Sequence, residues 1–97
     1  MYDPLSGKTV VVLGFARQGR ALARWLPTVG ARVVVSDAKS ADDLKLNPAE
    51  YPNVEFVLGG HPETLLEGAD LLCLSGGVPN DLPIVQLAKR YGVPLTN

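Results

Sequence analysis

The sequence predicts a three-layer α/β domain built on a five-stranded parallel sheet, and three observations predict it. Apolar runs such as Val10-Val11-Val12-Leu13 and Val33-Val34-Val35 are continuous and β-branched rather than alternating, the pattern of strands buried on both faces. Each run gives way to a break rich in glycine, proline or polar residues and then to a segment with helical character. This strand-to-helix order recurs along the chain, which implies a parallel sheet with crossover connections.

The elements follow in order. Thr9 to Leu13 forms the first strand, after a polar lead-in ending at Gly7-Lys8. Arg20 to Leu26 reads as the first helix, with apolar residues at Leu22, Trp25, Leu26 and Val29 on one expected face. Pro27 lacks an amide hydrogen and crowds the preceding turn, so the helix kinks or ends early there, with Gly30 as its C-terminal punctuation. Arg32 to Ser36, running into Asp37, is the second strand. The segment from Ala38 to Tyr51 is polar and then weakly periodic, which predicts at most a short helix. Val54 to Leu58 is the third strand, closed by Gly59-Gly60, and His61-Pro62-Glu63 opens a short helix reaching Leu66 or Glu67. Asp70 to Leu74 is the fourth strand, and Leu82 to Tyr91 a last helix with Leu82, Val85, Leu87 and Ala88 available for burial. Gly92 ends it, and Val93-Pro94-Leu95 begins the fifth strand.

Composition narrows the function classes. A chain of 97 residues is one domain, 1–97, with no internal repeat or low-complexity tract. Nine Lys and Arg against ten Asp and Glu give a net charge of −1, without the basic surplus that duplex binding uses, so nucleic acid is not an expected partner. No run approaches the roughly 18 to 20 apolar residues of a membrane span, and the N-terminus lacks the basic and apolar regions of a signal peptide. No membrane partner and a cytoplasmic location are the expectations. Cys73 lies inside Leu71-Leu72-Cys73-Leu74 and is the only cysteine, so it reads as a buried structural thiol.

Ligands of open parallel sheets bind beyond the carboxyl ends of the strands, and three segments sit there. Gly14-Phe15-Ala16-Arg17-Gln18-Gly19 reads G-x-A-x-x-G: Gly14 permits the turn, Gly19 permits close helix-on-strand packing, and Ala16 replaces the middle glycine of the dinucleotide fingerprint. The arrangement is Rossmann-like, with phosphate expected at the helix N-terminus. Asp37 ends the second strand, where a carboxylate commonly accepts hydrogen bonds from ribose hydroxyls. Ser75-Gly76-Gly77 is a second small-residue loop able to offer backbone amides to an anion.

Two further motifs carry little. Gly7-Lys8-Thr9 looks like the end of a P-loop but precedes a strand and has Tyr2 where the first glycine belongs, so it reads as a turn. His61, the sole histidine, reads as a helix-entry residue whose loss should change ligand binding little. No catalytic base, nucleophile or metal-ligand set is evident at any characteristic spacing.

Taken together, Val10 to Gly19, Ser36-Asp37, Gly59-Gly60-His61-Pro62 and Ser75-Gly76-Gly77-Val78-Pro79 resemble the N-terminal domain of the MurD family of Mur ligases, over essentially the whole chain. The resemblance implies a cytoplasmic step of peptidoglycan synthesis in which ATP activates the carboxylate of UDP-N-acetylmuramoyl-L-alanine and D-glutamate attacks it. It also implies a three-domain enzyme, with ATP and magnesium held by a central domain absent from these residues and no cofactor in this one. On that basis the chain is expected to be inactive alone, with its own central and C-terminal domains as partners. Carried over, Phe15, Ala16, Arg17 and Gln18 would meet the diphosphate, Asp37, Ala38 and Lys39 would surround the uracil, and Ser75, Gly76 and Gly77 would bind phosphate. Gln18 stands where the family commonly has Ser or Thr, and Gly76 where it usually has proline. The residues by themselves also fit an NAD(P)-binding domain of a reductase or regulatory protein, since the glycine loop and Asp37 suit adenosine ribose and pyrophosphate. A receiver-like interaction module is a third reading, one that leaves the glycine loop unexplained.

Overall fold

A computed structural model describes residues 3–75 and 78–96. The five expected strands are all present: β1 (Thr9–Leu13), β2 (Arg32–Asp37), β3 (Val54–Leu58), β4 (Leu71–Leu74) and β5 (Leu95–Thr96). They form one parallel sheet in the order β3-β2-β1-β4-β5. The order reverses between β1 and β4, so a crevice at their carboxyl ends is the expected ligand position for this topology.

The uninterrupted valine runs are explained by burial on both faces. Val10, Val12, Val33 and Val35 join Phe15, Ala23, Leu26, Tyr51 and Cys73 in one core. Val11, Leu13 and Val34 face the opposite way and pack with Leu65, Leu66, Leu72, Leu74, Ile84, Val85 and Ala88 in a second. Cys73 is buried, as expected for a structural thiol.

The helical layers are leaner than the strands. α1 (Arg17–Trp25) passes into a 3-10 turn at Leu26–Val29, where Pro27 interrupts regular helix, and Gly30 closes it in the left-handed region at φ 87°. The buried face of α1 differs from the expected one: Gly19, Ala23 and Leu26 point inward, while Trp25 is 50% exposed. The reason is that Gly19 must lie against the strand, and its helical neighbours four and seven residues on are then carried inward with it. The uncertain stretch after β2 resolves into a single turn, α2 (Ala41–Leu44), capped by Ser40, and a 3-10 turn at Pro48–Glu50. Between β3 and β4 there is only a 3-10 turn, Glu63–Leu66, too short to nucleate an α-helix. α3 (Pro83–Tyr91) buries Ile84, Val85 and Ala88, with Leu82 and Leu87 only half-buried.

Candidate functional site

The carboxyl ends of β1, β2 and β4 converge on the glycine loop. Gly14 adopts φ +93°, and a β-carbon there would stand 2.5 Å from Ser75 Oγ and 2.9 Å from Val78 Cγ2. A β-carbon on Gly19 would land on the carbonyl oxygen of Gly14. These two glycines therefore bring the N-terminus of α1 directly onto the end of β1, the roles assigned to them from the sequence. Ala16 is the N-cap residue in extended conformation, and the first helical hydrogen bond runs from Arg20 N to Ala16 O at 2.9 Å. No side chain caps this end and no acidic residue lies in its first turn, so the helix dipole favours an anion here. Ala16, Arg17 and Gln18 are exposed around it.

Phe15 is placed differently from a ligand-contacting side chain. It is 1% exposed and sits edge-on against Tyr51 and Phe56, with ring centroids at 5.0 Å and 5.3 Å. The loop is thus anchored by an aromatic plug, and any contact from Phe15 to a ligand would be through its backbone.

Asp37 is the junction between loops. Its Oδ2 accepts from the Phe15 amide and its Oδ1 from the Lys39 amide, both at 2.8 Å. Its own carbonyl accepts from Gly59 N at 2.9 Å and Gly60 N at 3.2 Å, while the Gly59 amide also reaches Lys39 O at 3.2 Å. A carboxylate oxygen has room for a second donor, so the Asp37 side chain can brace the glycine loop and still accept from a ligand hydroxyl or N–H. Ala38 and Lys39 lie exposed beside it, and Lys39 adds positive charge to the same edge.

Ser75 is 3% exposed, and its hydroxyl faces inward to the carbonyls of Leu13 at 2.7 Å and Gly14 at 3.0 Å. Its amide also donates to Leu13 O, at 3.1 Å. Ser75 thus holds β4 to the glycine turn. The other two members of that loop, Gly76 and Gly77, lie outside the described residues.

Three residues around the site were not singled out from the sequence for these contacts. Arg20 lays its guanidinium over the Phe15 ring, 4.4 Å from the centroid, and donates to Leu44 O, tying α2 to the glycine loop. Ser36 is fully buried; its Oγ lies 3.0 Å from Gly60 O and 2.7 Å from His61 Nδ1, and its carbonyl accepts from Gly14 N at 2.7 Å. His61 enters the Glu63–Leu66 turn as expected but is not isolated. Partial burial lowers its pKa, opposed by the nearby negative charge of Asp37. Parallel pairing places Asp37 opposite Leu58, so the residues just after Leu58 lie at the end of β2, a proximity that only the strand register reveals.

The arrangement can hold an anionic, hydroxyl-bearing ligand. Among the described residues no group of three or more His, Cys, Asp or Glu is placed to hold a metal ion. Nor is any helix among them long and apolar enough to cross a membrane.

Comparison with known proteins places the family and the fold. Residues 8–97 match the family model described as Mur ligase MurD-like, N-terminal domain. A UDP-N-acetylmuramoylalanine–D-glutamate ligase from Shouchella clausii is 41% identical over 92 residues, which is 94% of this chain and 20% of the relative. The chain spans about a fifth of the length of the curated relatives it matches. Among solved structures, a pseudomurein peptide ligase type C from Methanothermus fervidus superposes with a TM-score of 0.70 at 24% identity, covering 94% of this chain and 19% of that one. Shikimate dehydrogenase from Aquifex aeolicus gives 0.68 at 20% identity, covering 95% and 42%. At these identities the two structures speak for the shared Rossmann-like fold alone.

Proposed function

The chain belongs to the MurD-like N-terminal domain family of Mur ligases, and from that premise we propose that it holds the uridine diphosphate end of UDP-N-acetylmuramoyl-L-alanine for an ATP-dependent ligase that adds D-glutamate. The observation that carries this reading is the meeting of an uncapped, acid-free helix N-terminus with a carboxylate already fastened to the same loop, through the Phe15 amide and Asp37 Oδ2 at 2.8 Å. The diphosphate lies against Ala16, Arg17, Gln18 and Gly19, with Gly76 and Gly77 as further donors. The uracil and ribose lie toward Asp37, Ala38 and Lys39. A small anionic ligand of this kind also suits a chain with net charge −1 better than a polyanion does.

The chemical step belongs elsewhere in this proposal. Gly7-Lys8-Thr9 runs from the turn spanning residues 4–7 into the first residue of β1, and does not form a phosphate-binding loop following a strand. ATP and magnesium are accordingly assigned to a central domain, D-glutamate to a C-terminal domain, and the assembled enzyme to the cytoplasm. The 97 residues alone bind substrate without turnover.

Calorimetric titration of the chain with UDP-N-acetylmuramoyl-L-alanine, and in parallel with NAD, tests the reading. Binding of the UDP-sugar near the millimolar level, about −4 kcal/mol, with none of NAD is the expected result. Binding of NAD alone would overturn it in favour of a dinucleotide domain.

A further inference from the structure

The contacts at Ser36 do not balance unless His61 is in one particular form. A serine hydroxyl has a single proton to donate, whereas a backbone carbonyl can only accept. Ser36 Oγ lies 3.0 Å from the Gly60 carbonyl and 2.7 Å from His61 Nδ1, and the Ser36 side chain is fully buried. If the proton of Ser36 went to His61, the Gly60 carbonyl would lose its donor. If it goes to Gly60, the short contact to His61 requires a hydrogen on Nδ1. The second arrangement pairs Ser36 Oγ, the Gly60 carbonyl and His61 Nδ1 within the protein, whereas the first leaves the half-buried Gly60 carbonyl to solvent, and the full burial of Ser36 favours the internally paired form.

We infer that His61 is a positioning residue for the nucleotide site: its Nδ1–H donates to Ser36 Oγ, Ser36 donates to the Gly60 carbonyl, and this chain of bonds fixes the Gly59–Gly60 strap over the end of β2. The strap matters because its two amides hold the Asp37 carbonyl at 2.9 Å and 3.2 Å. The Asp37 carboxylate in turn holds the Phe15 amide, and the Ser36 carbonyl holds Gly14 N at 2.7 Å. Residues 36 and 37 are thus clamped from one side by the glycine loop and from the other by the strap, and His61 locks the second clamp. The tautomer follows from the same bonds. Neutral His61 carries its hydrogen on Nδ1 and presents a bare Nε2, and protonation adds a hydrogen at Nε2 without breaking the chain to Gly60.

The functional consequence rests on the proposed nucleotide reading, whereas the bonding pattern does not, so two measurements separate them. In the first, nitrogen-15 NMR of the ligand-free chain at pH 8 reads the His61 tautomer, and amide exchange is followed at Phe15, Lys39 and Gly60. The Nδ1-protonated tautomer is expected, together with faster exchange of those amides in His61→Phe and near-normal exchange in His61→Asn, whose side-chain amide can replace Nδ1–H. An Nε2-protonated ring, or unchanged exchange in His61→Phe, overturns the inference whatever the ligand results. In the second, UDP is titrated into the unaltered chain and both variants. About tenfold weaker binding in His61→Phe, with His61→Asn restored to within about threefold, supports a positioning role. Equal loss of UDP binding in both variants overturns the positioning role, and failure of the unaltered chain to bind UDP overturns the nucleotide reading alone. Should His61→Phe not fold, the tautomer of the unaltered chain still decides the bonding pattern.

Discussion

Asp37 Oδ2 and the backbone amide of Phe15, 2.8 Å apart, join the end of β2 to the glycine loop after β1. The other carboxylate oxygen is taken by the Lys39 amide, so both oxygens face N–H donors. In Asp37→Asn one of those positions becomes an NH2 group facing an N–H, and a donor without an acceptor costs about 1–3 kcal/mol. Urea unfolding is expected to show a loss of that size, and UDP binding should weaken with it. An unchanged midpoint and unchanged affinity would show that the carboxylate braces nothing.

The glycine loop gives a second prediction. Gly14→Val is expected to abolish nucleotide binding, because the residue sits at φ +93° and its β-carbon would press on Ser75 Oγ. Gly19→Ala should destabilise by about 1–3 kcal/mol, since its methyl group meets the Gly14 carbonyl and the helix must move off the strand. Calorimetry and thermal unfolding check the pair, and a Gly19→Ala chain as stable as the parent would contradict the close approach.

Acid should weaken the fold partly through His61. Burial lowers its folded-state pKa against the partial compensation of Asp37, and the cavity of about 380 Å³ that it lines also contains Glu63 and Arg90. Between that lowered value and the unfolded value of about 6.5, the unfolded chain binds more protons than the folded one. Stability from this group is therefore complete above about pH 6.5, declines as the pH falls through the window, and then levels off. Urea midpoints measured from pH 8 to pH 5 should fall more in the parent than in His61→Asn. Identical slopes would remove His61 from the account.

Cys73 should be a slow thiol. Desolvation raises its pKa, and the residue is only 5% exposed, so little reactive thiolate is available. A disulfide-exchange reagent at pH 8 is expected to modify it far more slowly in the folded chain than in urea. Equal rates would mean that β4 opens freely.

The strands were legible because a parallel sheet leaves a mark that needs no knowledge of partners: Val10 to Leu13 and Val33 to Val35 are apolar at every position since both faces are covered. The glycine loop was legible for a similar local reason, its steric requirements being met within a few residues. Trp25 was misjudged because helical spacing alone does not say which stripe faces the sheet; the Gly14–Gly19 approach decides that, and it turns Trp25 outward. Phe15 looked like a loop residue by position, yet its ring belongs to a cluster with Tyr51 and Phe56, both remote in sequence. The Ser36 and His61 contact was hidden for the same reason, as it exists only once β2 and β3 are in register.

β1 pairs with β2 on one side and with β4 on the other, where Val11 and Val12 meet Leu72 and Cys73. During synthesis the β2 side can zip up early, while the opposite side of β1 waits for residues 71–74. Until they arrive, the valine-rich β1 is an open edge, with a row of unsatisfied amides and carbonyls able to template pairing with another chain. Damage to β4 would therefore do more than weaken the fold: it would expose a valine ribbon suited to aggregation.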